Sequence, residues 1–146
     1  MRKAVNLGVL ETTVGYHMYR AVMTLAEYRR AGRHKGLRQW TFGILAVVAA
    51  NPGINQTSIG NALGIERANM VPLIDELVET GLLKRGTTLK DRRSRALKLT
   101  PSGQKKLAAI LTDIRKIEAA ILSSLSEGER RILIEILPRI QSARRA

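Results

Sequence analysis

Arg67, Asn69, Val71 and Pro72 stand in one short stretch, and the most basic part of the chain follows it, with Arg92 and Arg93 near its middle. Together these side-chain types suit a duplex nucleic acid. An arginine can donate to guanine, and a small apolar side chain such as Val71 or Pro72 can meet the methyl of thymine. Arg67 can equally contact phosphate alone, and residue type does not choose between the two. Between positions 84 and 106, nine lysines and arginines stand against one acid, Asp91, a surplus of +8 in 23 residues of a chain that totals +13. Lys84, Arg85, Arg95 and Lys98 in that stretch suit phosphate, or simply solvent, better than base edges.

These residues need elements to hold them. Ile65, Met70, Leu73, Ile74, Leu77 and Val78 recur at the spacing of a helix with one buried face. The opposite face, with Ala68, Val71, Pro72 and Asp75, is slim enough for a narrow space. The expected helix spans about 67–80 and closes at Gly81; Leu82 to Arg85 then reads as a strand, Gly86 to Arg93 as a loop, and Ser94 to Leu99 as the returning strand. Upstream, a helix from about Arg38 to Ala50, with Phe42, Leu45 and Val48 facing a core, stops at Asn51-Pro52-Gly53. Asn55 can cap the next helix, roughly 56–63, and Gly64 ends it. A slim helix beside a concentrated positive turn suits a DNA groove flanked by phosphates. The pattern is that of a winged helix-turn-helix.

Longer helices flank it. Leu7, Leu10, Val14, His17, Ala21 and Tyr28 form one stripe over residues 7–31. Thr100-Pro101 opens a helix carrying Leu107, Ile110, Leu111, Ile114, Ile117 and Ile121. Ser126-Glu127-Gly128-Glu129 is a capping box for a last helix with Ile132, Leu133, Ile136, Leu137 and Ile140, in which Pro138 marks a kink or a fraying end. These helices carry more apolar surface than one small winged domain covers; they fold onto their own domain or pair across a two-fold axis. The second choice explains more, since a dimer presents two recognition helices about one DNA turn (~34 Å) apart, as a palindromic site requires. The expected fold is therefore mainly α with a small β wing: a winged helix-turn-helix at 37–100, flanked by a helical dimerisation region at 1–36 and 101–146.

Composition excludes much else. With no cysteine, disulfides, thiolate metal sites and thiol-based sensing are impossible. Two histidines cannot build a histidine-rich metal site, so no metal or cofactor is expected. The longest apolar run, Phe42 to Ala50, is too short for a bilayer, and no signal peptide is evident, so the expected location is the cytoplasm. Aromatic content of 3% argues against single-strand binding by base stacking. Gly81 to Gly86 has the gap of a phosphate-binding loop, but Thr87 stands where lysine is required. No nucleophile motif is recognisable either, so the chain is not expected to be an enzyme. The rival is a basic architectural or membrane-surface protein, which would explain the charge but not its concentration after a recognition-type helix.

In order and spacing, Leu37, Phe42, Ile44-Leu45, Pro52-Gly53-Ile54, Gln56, Leu63-Gly64-Ile65, Leu77 to Leu83, Asp91-Arg92-Arg93, Leu97, Leu99-Thr100, Gly103 and Leu125 to Glu129 together resemble the multiple antibiotic resistance regulator (MarR) family. The resemblance runs from the first helix to the last. It implies a homodimeric winged-helix transcriptional regulator, usually a repressor, released from its operator by a small ligand. It also implies an Asp-x-Arg wing motif, met by Asp91 and Arg93, in which the arginine enters the minor groove and the aspartate orients it. Narrow grooves concentrate negative potential, so that role suits arginine better than a solvated loop does. Two positions depart from the pattern: Ser58 stands where an acid is common, and Pro72 interrupts the recognition helix.

The same resemblance places an effector, commonly an aromatic acid, between the first helix and the winged domain, where Tyr16, His17, Arg20 and Trp40 are the candidates. The plainer choice for His17, and the favoured one, is a satisfied core or interface histidine. Trp40 aligns ahead of the usual core aromatic and is thereby free to stack on a ligand. Arg29, Arg30, Arg33, His34, Lys35 and Arg38 form a dense basic cluster at a helix end. Such a run is usually a solvated face favoured by the helix dipole. The alternative is that it grips a polyanionic effector, for example the nucleotide end of an aryl coenzyme A thioester, as some similar regulators of aromatic catabolism do.

Overall fold

Local side-chain chemistry decides where three of the six α-helices begin. The computed structural model describes residues 5–31, 40–88 and 91–142, with the backbone alone at 29–31, 87–88, 91–95 and 142. After a 3-10 turn at Gly8–Thr12 come α1 (Val14–Ala31), α2 (Thr41–Ala50), α3 (Gln56–Leu63), α4 (Arg67–Glu79), strands β1 (Leu83–Thr88) and β2 (Asp91–Leu99), α5 (Pro101–Ile121) and α6 (Glu127–Ser142). Two compact units divide the chain, one of residues 1–35 with 114–146 and the other of residues 36–113.

In the 36–113 unit, Asn55 caps α3 by accepting from the Ser58 backbone N–H at 2.9 Å, one half of a capping box. Gly64 ends α3 at φ +67°, a conformation that favours glycine. A β-carbon on Gly60 would come within 3.0 Å of the Ile65 carbonyl oxygen, which is how closely the α3–α4 turn folds back. The core gathers Ile44, Leu45 and Val48 from α2, Ile59 from α3, Met70, Ile74 and Leu77 from α4, and Leu83, Ala96 and Leu97 from the strands. Ile44 takes the place expected of Phe42, which is only half-buried. Leu73 and Val78 are likewise half-buried at the edge of the α4 stripe.

The hairpin is longer than the apolar alternation suggested. β1 pairs antiparallel with β2 from Leu83 opposite Leu99 to Thr88 opposite Asp91, with an irregularity between Thr87 and Thr88. Gly86, Thr87, Thr88 and Asp91, expected in a loop, are therefore paired in the ladder. Backbone pairing does not need apolar side chains, and threonines extend a strand readily. β2 also exchanges two bonds with the segment before α3: Gly53 N–H to Leu97 O at 3.0 Å and Leu97 N–H to Ile54 O at 2.9 Å. Thr100 then locks the base of the hairpin, its N–H donating to Leu82 O at 3.1 Å. Its hydroxyl donates to Gly81 O at 2.6 Å and accepts from the Gly103 N–H at 3.0 Å, capping α5. Gly103 permits this approach, since a β-carbon there would fall 2.0 Å from Leu82 O.

In the other unit the first helix is broken where periodicity showed none. Thr13 is extended between the 3-10 turn and α1. Asn6 accepts from the Gly8 N–H at 2.7 Å, and the Thr13 hydroxyl donates to Val9 O at 2.7 Å. These local bonds compete with helix in the way short polar side chains do. The capping box of α6 is formed: the Glu129 carboxylate accepts from Ser126 N–H at 2.7 Å, and Glu129 N–H donates to Ser126 Oγ at 3.3 Å. Bonding to the Ser126 hydroxyl, then to its N–H, lowers the Glu129 pKa from its ordinary value. Arg130 closes the α5–α6 turn by donating to Leu125 O at 3.1 Å and Leu122 O at 2.6 Å. Pro138 lies inside α6, which runs on to Ser142.

Candidate nucleic-acid interface

The surface α4 turns outward follows from which of its residues the core takes. With Met70, Ile74 and Leu77 buried, Arg67, Ala68, Asn69, Val71 and Pro72 are left exposed together. Pro72 has no N–H to give to Ala68, yet the helix continues to Glu79. The helix thus displays two apolar side chains, Val71 and Pro72, beside Arg67 and Asn69. That combination of one cation, one amide and two small apolar groups matches what base edges offer in a major groove.

The hairpin adds charge, but not all of it is free. Arg85 of β1 forms an ion pair and hydrogen bond with Asp75 of α4. It is therefore committed within the protein, a departure from the phosphate or solvent role its position suggested. Lys84 and Lys98 face each other across the two strands, and both are exposed. Like charges so placed are unfavourable unless an anion lies nearby. Lys105 is exposed and Lys106 half-buried in the first turns of α5. Asp91, Arg92 and Arg93 belong to the backbone of β2, and their side chains lie outside the described residues.

The effector candidates divide differently. Tyr16, His17 and Arg20 lie on the first turns of α1, and the structure brings the first two together, ring centroids 5.5 Å apart and edge-on at 71°. Tyr16 is half-buried; His17 and Arg20 are exposed. His17 Nε2 lies 2.9 Å from the Glu11 carbonyl oxygen, where as an N–H it donates across the break at Thr13. This histidine is satisfied by its own segment. Trp40 belongs to the other unit, where it precedes α2 and remains 37% exposed, in keeping with a residue outside the core. Arg29 and Arg30 are in α1, their side chains outside the described residues, and Arg33 and Arg38 lie outside them altogether. Among the described residues no group of three or more His, Cys, Asp or Glu could hold a metal ion. No described helix is long and apolar enough to cross a membrane.

The Asp75–Arg85 pair was not foreseen. Asp75 is visible on the slim face of α4, but its partner lies ten residues away across a turn, and only the packed hairpin brings them together.

A model of the MarR family matches residues 35–94. A protein of Thauera aromatica assigned as the transcriptional regulatory protein for the hcr operon is 31% identical over 137 residues, 91% of this chain and 81% of its own length. The transcriptional repressor CouR bound to a 23-mer DNA duplex is similar at a TM-score of 0.84 and 31% identity, over 95% of this chain and 99% of that one. CouR bound to p-coumaroyl-CoA is similar at a TM-score of 0.77 and 30% identity, over 94% of this chain and 98% of that one.

Proposed function

The chain belongs to the MarR family of transcriptional regulators, and from that premise we propose that it is a homodimeric repressor released from a palindromic operator by an aryl coenzyme A thioester or the related aromatic acid. The observation that carries the DNA half is the exposed set Arg67, Asn69, Val71 and Pro72 on a helix whose other side is core. In this reading α4 enters the major groove, and Asp91, Arg92 and Arg93 of the hairpin reach the backbone and the minor groove beside it. Likeness to a repressor carried on duplex DNA supports it.

Exposed apolar surface supports the dimer. Val9, Val14, Tyr19 and Val22, and Ile132, Ile134 and Ile140 of α6, are exposed in the single chain. A two-fold partner would cover such residues, which makes residues 1–36 and 101–146 the proposed dimerisation region and 37–100 the winged helix-turn-helix. For the effector, the support is the likeness to CouR bound to p-coumaroyl-CoA. Tyr16, His17, Arg20 and Trp40 are the proposed contacts of its aromatic part; Arg29, Arg30, Arg33 and Arg38 are those of its phosphates. Binding shifts the population of dimers away from the spacing that fits two successive grooves.

A footprint tests this reading. Protection of an inverted repeat, relieved by p-coumaroyl-CoA at lower concentration than by p-coumarate, is the expected result. Uniform coverage of any duplex would replace it with a basic architectural protein. Protection that neither compound relieves would leave the repressor but remove this effector class.

A further inference from the structure

We propose that Asp75 and Arg85 are a positioning pair that sets the angle of the β hairpin against α4; the inference rests on the reading of α4 as the DNA-contacting helix. Asp75 is on the slim stripe that includes Ala68, Val71 and Pro72, about one helical turn further along α4. Its side chain is 43% exposed, so a bare carboxylate there would face the phosphates of any duplex that α4 approaches. Arg85 removes that penalty by pairing with it, its own side chain 33% exposed. The pair also spans two elements. Arg85 sits in β1 opposite Leu97 of β2, which is buried, and two positions past Leu83, which is buried too. The bond thus ties the hairpin to the helix beside the buried Leu97, at the rim of the apolar core.

A second contrast separates this role from general attraction. Lys84 and Lys98 lie opposite each other on neighbouring positions, exposed and with no acid paired to them among the described residues. These are the cations of the hairpin base available for phosphate. Arg85, although it belongs to the same basic stretch, is spent on Asp75.

The pair can be broken and rebuilt in the full chain with Asp75→Ala, Arg85→Ala and the exchanged double variant Asp75→Arg/Arg85→Asp, which leaves net charge unchanged. Two readouts are taken: hydrogen exchange of the hairpin amides without DNA, and affinity for the wild-type protein's preferred duplex across a salt series. Each single variant should exchange its hairpin amides faster and bind about five-fold more weakly, and the exchanged pair should recover both. Asp75→Ala is the sharpest case, because added positive charge should strengthen binding if attraction alone mattered. Arg85→Ala should leave the salt slope nearly intact, whereas a lost phosphate contact lowers it by ~0.9. Tighter binding by Asp75→Ala, a full phosphate lost from the slope with Arg85→Ala, or an exchanged pair as impaired as the singles would overturn the proposal. If the wild-type chain prefers no duplex, the DNA reading fails on its own. The exchange rates then still decide the pair: unchanged protection in every variant overturns it.

Discussion

Residues 36–113 bury a set of large apolar side chains from every element, whereas the described part of residues 1–35 and 114–146 leaves its large apolar side chains in solvent or half-covered. In the first, Ile44, Leu45, Ile59 and Ile74 are fully enclosed. In the second, Val9 is 77% and Ile134 73% exposed. Burial of such side chains is the main force for folding, so the first unit holds its shape through its own contacts. The second leaves its apolar side chains uncovered, and that difference is the ground for the proposed dimer.

The largest expected effect breaks that difference from the outside. Replacing Leu133 and Ile140 by glutamate should convert a dimer to a monomer in sedimentation velocity and weaken operator binding by about a hundred-fold or more, since two linked half-sites reinforce one another. Persistence of a dimer would show that α6 is not in the interface. Next comes the core itself. Ile44→Ala should cost about 2–5 kcal/mol of stability, and Ile134→Ala within about 0.5 kcal/mol, if the monomer is compared under dissociating conditions. Equal costs in denaturant melts would erase the contrast between the units.

Smaller effects sharpen the DNA-facing side. Arg93→Ala should weaken operator binding and flatten the salt dependence by ~0.9 in slope or less. Unchanged binding would take Arg93 out of the interface. Smallest is the titration of Glu129. Its pKa is lowered by its bonds to Ser126. The stability it contributes is present above the unfolded value and lost as pH falls through the folded one. The carboxylate midpoint followed by NMR should therefore lie below that of free glutamate and rise toward it in Ser126→Ala; an unmoved midpoint would show the box to be inert in solution.

What could be read in advance was local. Asn55, Gly64, the Thr100 cap on Gly103 and the Ser126–Glu129 box each act on backbone groups within a few residues, so neighbours in sequence suffice to find them. The α4 face was legible for the same reason, because one buried stripe defines its opposite. The break at Thr13 was not, since the apolar stripe from Leu7 to Tyr28 passes over it without a change of period. Phe42 to Ala50 is apolar on all sides, so periodicity offers no face and only neighbouring elements choose Ile44 for the core. The hairpin length and the Asp75–Arg85 bond depend on strand pairing across a turn, which residue types bias but do not fix.

The central claim is that two copies present α4 to one operator. Selecting duplexes from a random pool with the purified chain, then weighing the retained complex by native mass spectrometry, tests it most directly. The account predicts an enriched inverted repeat, half-sites about one helical turn (~34 Å) apart, carrying two chains. An unenriched pool, or a single chain on a single half-site, would contradict it.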